Sequence, residues 1–150
     1  MSQGLRVTVE NDDPRIVYEG AWVTLSESFC TFSKPDALCY SGGSTATATG
    51  TPATAFFVFE GTEIAVVSSL NAGHGNAVFE LDGVSTLVNG AASNFTAQQT
   101  LYKQQNLAAT THTLRITNGN AMFDLDHIVS GGLVSPSLTW QLRGFVQHYE

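Results

Sequence analysis

The sequence predicts an all-β protein, an antiparallel two-sheet β-sandwich of the jelly-roll kind. Three observations predict it. Between residues 56 and 118 the chain reads FFVFEGTEIAVV, then AVFELDGV, then HTLRITN, short runs rich in β-branched and aromatic residues. Gly, Asn and Asp turn signals separate the runs, with no helix-length amphipathic segment between them. Of 150 residues, 43% are hydrophobic and only 13% charged, the rest being largely Ser, Thr, Gly, Asn and Gln; this suits a sandwich whose outer faces carry uncharged polar side chains.

Taken in order, the elements number about nine strands. Residues 5–10 alternate inward and outward, and Asn11-Asp12-Asp13-Pro14 breaks the ladder, because proline has no N–H to give and Asx side chains favour turns. Residues 16–18 and 21–25 flank Gly20, and 29–32 follow. Residues 33–52 are small and polar and read as a long loop with one edge strand near 44–49. Residues 55–59 and 64–68 read as a hairpin about 60–63, both arms apolar enough to be central strands. A glycine-rich loop, 71–76, leads into a strand at 77–81, and Asp82-Gly83 turns the chain into 84–88. Residues 97–105 fit a strand or a short helix. Strands at 111–117 and 122–129 are joined by Asn118-Gly119-Asn120, another tight-turn sequence. The last segment, 137–149, alternates well in its second half. One domain, 1–150, accounts for the length, with 133–150 as a C-terminal strand extension.

Charge narrows the partners. Thirteen acidic against six basic residues give a net charge of -7, and the bases are scattered, so nucleic acid and anionic membrane surfaces are disfavoured. No run approaches the roughly 18 apolar residues of a membrane span. No signal peptide is visible at the N-terminus, which implies a cytoplasmic location or unconventional secretion. Cys30 and Cys39 flank a Lys-Pro-Asp turn signal; a bridge and two free thiols both remain open.

The segments DPRIVYEGAW (13–22), FVFEGTEIAV (57–66), FELDG (79–83), LYKQQNL (101–107), HTLRITN (112–118) and LDHIV (125–129) occur in this order. As an ordered set, spanning about residues 9–130, they resemble the galactose-binding-like jelly-roll domains that recur in mushroom-forming fungi. That resemblance implies a two-sheet jelly roll similar to carbohydrate-binding modules and lectins, with ligands on loops at one end. The chain departs from the pattern in lacking a visible signal peptide and in its tail, 133–150, which carries Trp140, Phe145 and Tyr149. Such an aromatic terminus suits pairing with residues 5–10 or with a second subunit, so a homo-oligomer, most simply a homodimer, is expected.

A neutral sugar is held by an aromatic face against its C–H patch and by planar donors and acceptors at its hydroxyls. Residues of those types in predicted loops or strand ends are Trp22, Tyr40, His74, Asn76, Asn94, Gln98, Tyr102, Asn118 and Asn120. His74 stands out because Gly73 and Gly75 would let a ligand approach the backbone; the competing reading is a turn shaped by glycines with a solvated histidine. Trp22, with Tyr18, also reads as core. No catalytic residues are assigned, since a GxSxG elbow is absent. No cofactor or metal is assigned either. His74, His112, His127 and His148 have no zinc-type spacing. A structural calcium ion is compatible with what the resemblance implies, and strand alternation would let one ion see Asp124 and Asp126 but not His127, with Asn11, Asp12 and Asp13 as further oxygen donors. The sequence thus points to a non-enzymatic carbohydrate-binding protein, a fungal lectin with glycans as partners. A structural or cell-surface interaction module and, behind it, a small enzyme on the same scaffold are the alternatives.

Overall fold

A computed structural model of the chain describes residues 5–26, 40–119 and 121–132. Their backbone forms ten strands: β1 (Arg6–Glu10), β2 (Val17–Ser26), β3 (Ser44–Gly61), β4 (Glu63–Leu70), β5 (Asn76–Leu81), β6 (Val84–Asn89), β7 (Thr96–Gln104), β8 (Thr110–Asn118), β9 (Phe123–Leu125) and β10 (His127–Gly131). A four-stranded sheet runs β1-β10-β4-β7, and a six-stranded sheet runs β2-β3-β8-β5-β6 with β9 paired to β3. Every strand pairing is antiparallel. The predicted two-sheet antiparallel sandwich is the observed architecture. The expected strand at 29–32, both cysteines and the tail 133–150 lie outside the described residues.

Alternation places the core. On β8 His112, Leu114, Ile116 and Asn118 point inward while Thr113 and Arg115 point outward, and on β5 Ala77, Phe79 and Leu81 do the same. Phe57, Phe59 and Phe123 complete the six-stranded side, and Val9, Ile64, Val66, Tyr102 and Ile128 face them from the four-stranded sheet. Phe79 sits at the centre, stacked on Tyr102 with ring centroids 4.8 Å apart and edge-on to Phe123 at 5.7 Å.

Three local expectations are corrected. The strand expected near 44–49 is present, but it is not an edge strand and does not end there: it is the start of β3, which runs without interruption through Pro52 for 18 residues. Its first half is flanked by β2 and β9, so Thr45, Ala46, Thr47 and Ala48 are buried, and their small side chains fit a layer where strands crowd. The stretch 60–63 does not close a hairpin. β3 belongs to one sheet and β4 to the other, so the chain crosses the sandwich at Gly61. There φ is 141°, and a Cβ would lie 2.2 Å from the Gly131 carbonyl oxygen; that close approach lets the Thr62 N–H donate to the same oxygen at 2.8 Å. Continuous apolarity marked both strands as central but could not say which sheet each joined. Finally, 122–129 is broken at Asp126 into β9 and β10.

Other readings agree with the structure. Residues 96–104 are strand rather than helix, and Asp82-Gly83 closes the β5–β6 hairpin with φ of 50° and 85°. At this turn the Asp82 carboxylate accepts from the ring of His112 and from the Thr113 N–H, while the other His112 nitrogen meets the Ala108 carbonyl at 2.7 Å. Burial pulls the His112 pKa down, yet the bonds to Asp82 and Ala108 outweigh it and raise it overall; burial acts on Asp82 in the opposite sense, and its bonds to His112 and Thr113 hold it below the usual carboxylate range. A raised histidine stabilises below its unfolded pKa of about 6.5 and that stability is lost as pH rises through the folded value; a lowered aspartate stabilises above about 3.9 and loses it as pH falls. The pair therefore contributes most between about pH 4 and 6.5. Thermal melts from pH 4 to 9 should show a fall above that window that is absent in His112→Gln; parallel profiles would disprove the linkage.

Candidate functional site

Three connections meet at one end of the sandwich. Residues 71–75 join β4 to β5, 90–95 join β6 to β7, and 119–122 lead from β8 to β9. These segments are laced together by main-chain bonds: Asn71 N–H to Gly90 O, Gly90 N–H to Gly75 O, Gly75 N–H to Met122 O and Gly119 N–H to Asn76 O, all between 2.8 and 3.2 Å. Tyr40, just before the 3-10 turn Ser41–Gly43, joins them, its ring edge-on to Phe95 with centroids 5.9 Å apart and planes at 86°. Both rings are half-buried.

The residues singled out in the sequence divide into two groups at this end. Tyr40, Asn76, Asn94 and Gln98 carry solvent-accessible side chains there. Gln98 adopts φ 53° within the irregular stretch of β7 opposite Ser68 and Leu70, a bulge of the kind that re-aims a side chain. The other residues face inward. Tyr102 is 5% exposed beneath Phe79. Asn118 is buried, and its amide donates to Gly50 O at 3.1 Å and Ala121 O at 2.7 Å. Trp22 is half-buried, edge-on to Tyr18 at 4.9 Å, with its indole N–H donating to Thr54 O at 3.0 Å. Asn120 lies outside the described residues.

His74 is not solvated. Its side chain is buried, Nδ1 donates to the Ser69 carbonyl at 3.1 Å, and Nε2 lies 3.6 Å from an Asp124 oxygen. Asp124, itself 2% exposed, accepts from the hydroxyls of Thr47 at 2.7 Å and of Ser69, while Ser68 donates to its carbonyl. This polar knot ties β3 and β9 of one sheet to β4 of the other beneath the loops. Of the two glycines that flank His74, Gly75 serves the packing of two loops on each other, since a Cβ there would lie 2.7 Å from Ala121 Cβ, whereas a Cβ at Gly73 would meet nothing within 4 Å. Phe95 was not singled out in the sequence; its place beside Asn94 gave no hint that it meets Tyr40, 55 positions away.

A second polar group adjoins Tyr40. Glu10 and His127 are cross-strand partners on β1 and β10, and Asp126 occupies the break before β10. One ligand atom from each lies within 4.8 Å of the others, the only such His or carboxylate group of three among the described residues. Alternation would have turned His127 away from Asp126. The break sets Asp126 Oδ1 3.5 Å from His127 Nδ1 and sends Asp124 to the separate knot.

Solved structures that share this fold include carbohydrate-active proteins. Similar chains include a family two carbohydrate esterase from Cellvibrio japonicus (TM-score 0.59, 15% identity, covering 89% of this chain and 36% of that one). An exo-β-1,3-galactanase from Phanerochaete chrysosporium matches with TM-score 0.54 and 20% identity, over 86% of this chain and 29% of that one. The GH26-CBM35 β-(1,4)-mannanase of Podospora anserina matches with TM-score 0.56 and 17% identity, over 87% and 28%. The chain thus spans roughly a third of the length of these proteins, and at such identities the likeness is one of fold. Neither a protein-family model nor a curated protein matches the sequence. Among the described residues no helix is long and apolar enough to cross a membrane.

Proposed function

We propose that this protein is a carbohydrate-binding module without chemistry of its own, and that its glycan site is the loop end around Tyr40 and Phe95. The observation that carries the reading is that ring pair. It brings two half-buried aromatics from distant segments to one end of the sandwich, with the exposed amides of Asn94 and Gln98 on the adjoining chain. An aromatic face can cover the C–H patch of a sugar, and amides offer the paired donors and acceptors that hydroxyls need. The structural neighbours support the substrate class: one was crystallised with galactose, and an esterase of the same fold, active on acetylated mannans, with mannopentaose.

The absence of catalysis is supported by how Ser69, His74 and Asp124 meet. A nucleophile needs its hydroxyl on the imidazole, whereas Ser69 donates to Asp124 and the whole group is buried beneath the loops. We also infer a lectin-like, multivalent mode of action, because hydroxyl desolvation offsets most of each bond a single site gains.

Titration calorimetry with mannan and β-1,3-galactan oligosaccharides tests the site. Tyr40→Ala and Phe95→Ala should each weaken binding by about tenfold, the worth of one aromatic contact of ~1.4 kcal/mol, while Val84→Thr at the opposite end should leave it unchanged. Equal binding by all three variants would remove the site. No binding by the wild type across a glycan array would favour the interaction-module reading instead.

A further inference from the structure

We propose that Glu10, Asp126 and His127 form a binding site for a zinc-class divalent cation. The three side chains converge, and each presents a buried atom without a hydrogen-bond partner: Glu10 Oε2, Asp126 Oδ1 and His127 Nδ1. Asp126 is fully buried. Glu10 Oε2 has no donor and Asp126 Oδ1 has only the His127 ring at 3.5 Å, so an ion bound to both oxygens would satisfy groups that are buried without a hydrogen bond.

The remaining carboxylate oxygens are already engaged. Ser41 donates its hydroxyl to Glu10 Oε1 at 2.6 Å and its backbone N–H to Asp126 Oδ2 at 3.1 Å. Each carboxylate is thereby oriented to offer one oxygen. Gly42 supports this from the other side: its φ is 66°, and a Cβ there would lie 3.2 Å from Glu10 Oε2, so a larger residue would crowd the ligand oxygen.

The donor set decides the metal. The fold resemblance implies calcium, which takes about six to eight oxygen ligands, often with bidentate carboxylates. Here two monodentate oxygens and one imidazole nitrogen are on offer, and the calcium expectation does not fit them. Two carboxylates and a histidine suit zinc, cobalt or manganese, with solvent completing the shell. The 3.5 Å between Asp126 Oδ1 and His127 Nδ1 is close to the roughly 3.3 Å edge of a tetrahedron built on zinc bonds of 2.0–2.1 Å. Sequence spacing could not display the site, because Glu10 reaches His127 through strand pairing across 117 positions. Because Ser41 follows Tyr40, the ion would also fix the chain that carries the proposed sugar-stacking ring.

Full-length protein stripped with chelator, titrated with zinc and separately with calcium in the absence of any sugar, tests the proposal independently of the glycan reading. Zinc should bind one to one and raise the melting temperature, cobalt should give the visible absorption of a low-symmetry site, and calcium should do neither at millimolar concentration. His127→Gln should weaken zinc by at least roughly 100-fold, since loss of a ligand exceeds the usual cost of losing its supporting partner. Glu10→Gln should act in the same direction, which keeps the test valid should one variant not fold. Calcium stabilising the protein more than zinc, or zinc affinity unchanged in a folded His127→Gln or Glu10→Gln variant, would overturn the assignment.

Discussion

Replacing Phe79 with alanine is expected to remove about 3–5 kcal/mol of folding stability, a large part of the roughly 5–15 kcal/mol available to a protein of ordinary stability. Phe79 is completely buried on β5 of the six-stranded sheet, and its ring lies parallel to that of Tyr102 on β7 of the other sheet. It also meets the edge of Phe123 on β9. One side chain thus joins three strands across both layers. The surrounding strands are fixed by ladders on both sides, Phe79 itself being paired with Ile116 and Thr86, so the backbone cannot close over the vacated space. The loss then includes a cavity as well as transferred surface. A fall in melting temperature on the order of 10–15 °C follows at this chain length. Phe79→Leu, which keeps most of the volume, should cost under about 1.5 kcal/mol. Urea unfolding of the three proteins with unchanged m values checks both figures; a loss below about 1 kcal/mol for alanine would mean that Phe79 does not span the sheets.

Period-two alternation, which places Phe79 inward on β5, is also what made much of the fold legible in the sequence. Where a strand has one wet and one dry face, its period of two is written in the sequence, as in Leu114, Arg115 and Ile116 of β8. Turn chemistry was legible for the same reason at Asp82-Gly83, where positive φ values restrict the residues. The strand that begins β3 was legible near 44–49, but its burial and its continuation through Pro52 were not. Ser, Thr and Ala are buried there by crowding between β2 and β9, which is a property of the partners and not of the segment. The crossing at Gly61 was hidden because a turn between two apolar strands reads alike whether it closes a hairpin or passes from sheet to sheet.

The candidate site was less legible than the fold. Tyr40, Asn76, Asn94 and Gln98 do lie at the loop end, since polar and aromatic residues between strands usually reach the surface. Residue type alone could not separate them from Tyr102, Asn118 and His74, which also stand at strand ends or in loops yet face inward. For His74 the flanking glycines were read as access for a ligand, when Gly75 in fact makes room for Ala121. Phe95 and Glu10 acquire their meaning from partners far away in sequence, Tyr40 and His127, and pairings of that kind are set only when the sheets assemble.

The second large effect is expected at Asp124. Asp124→Ala should destabilise the protein by about 3–5 kcal/mol, as much as the loss of a core aromatic, because it strands the groups that the carboxylate now satisfies. The hydroxyls of Thr47 and Ser69 lose their acceptor, and His74 loses the negative charge 3.6 Å from its Nε2, all in a region from which water is excluded. Asp124→Asn keeps the shape and one acceptor oxygen; a hydroxyl can rotate to accept from the new amide, so the cost should fall to about 1–2 kcal/mol. Hydrophobic replacement of both ends distinguishes a polar knot from mere packing. Thr47→Val in the Asp124→Ala background should cost less than the same change in the wild type, since the hydroxyl it removes is already stranded. Additive losses in that cycle would show that Thr47 and Asp124 are not coupled. Because the knot joins β3 and β9 to β4 directly beneath residues 71–75, its loss should first be felt at the loop end. Amide exchange in 71–75 should accelerate more than exchange at the Asp82-Gly83 turn, and equal acceleration at both ends would mean that Asp124 supports the sandwich as a whole and not the loops above it.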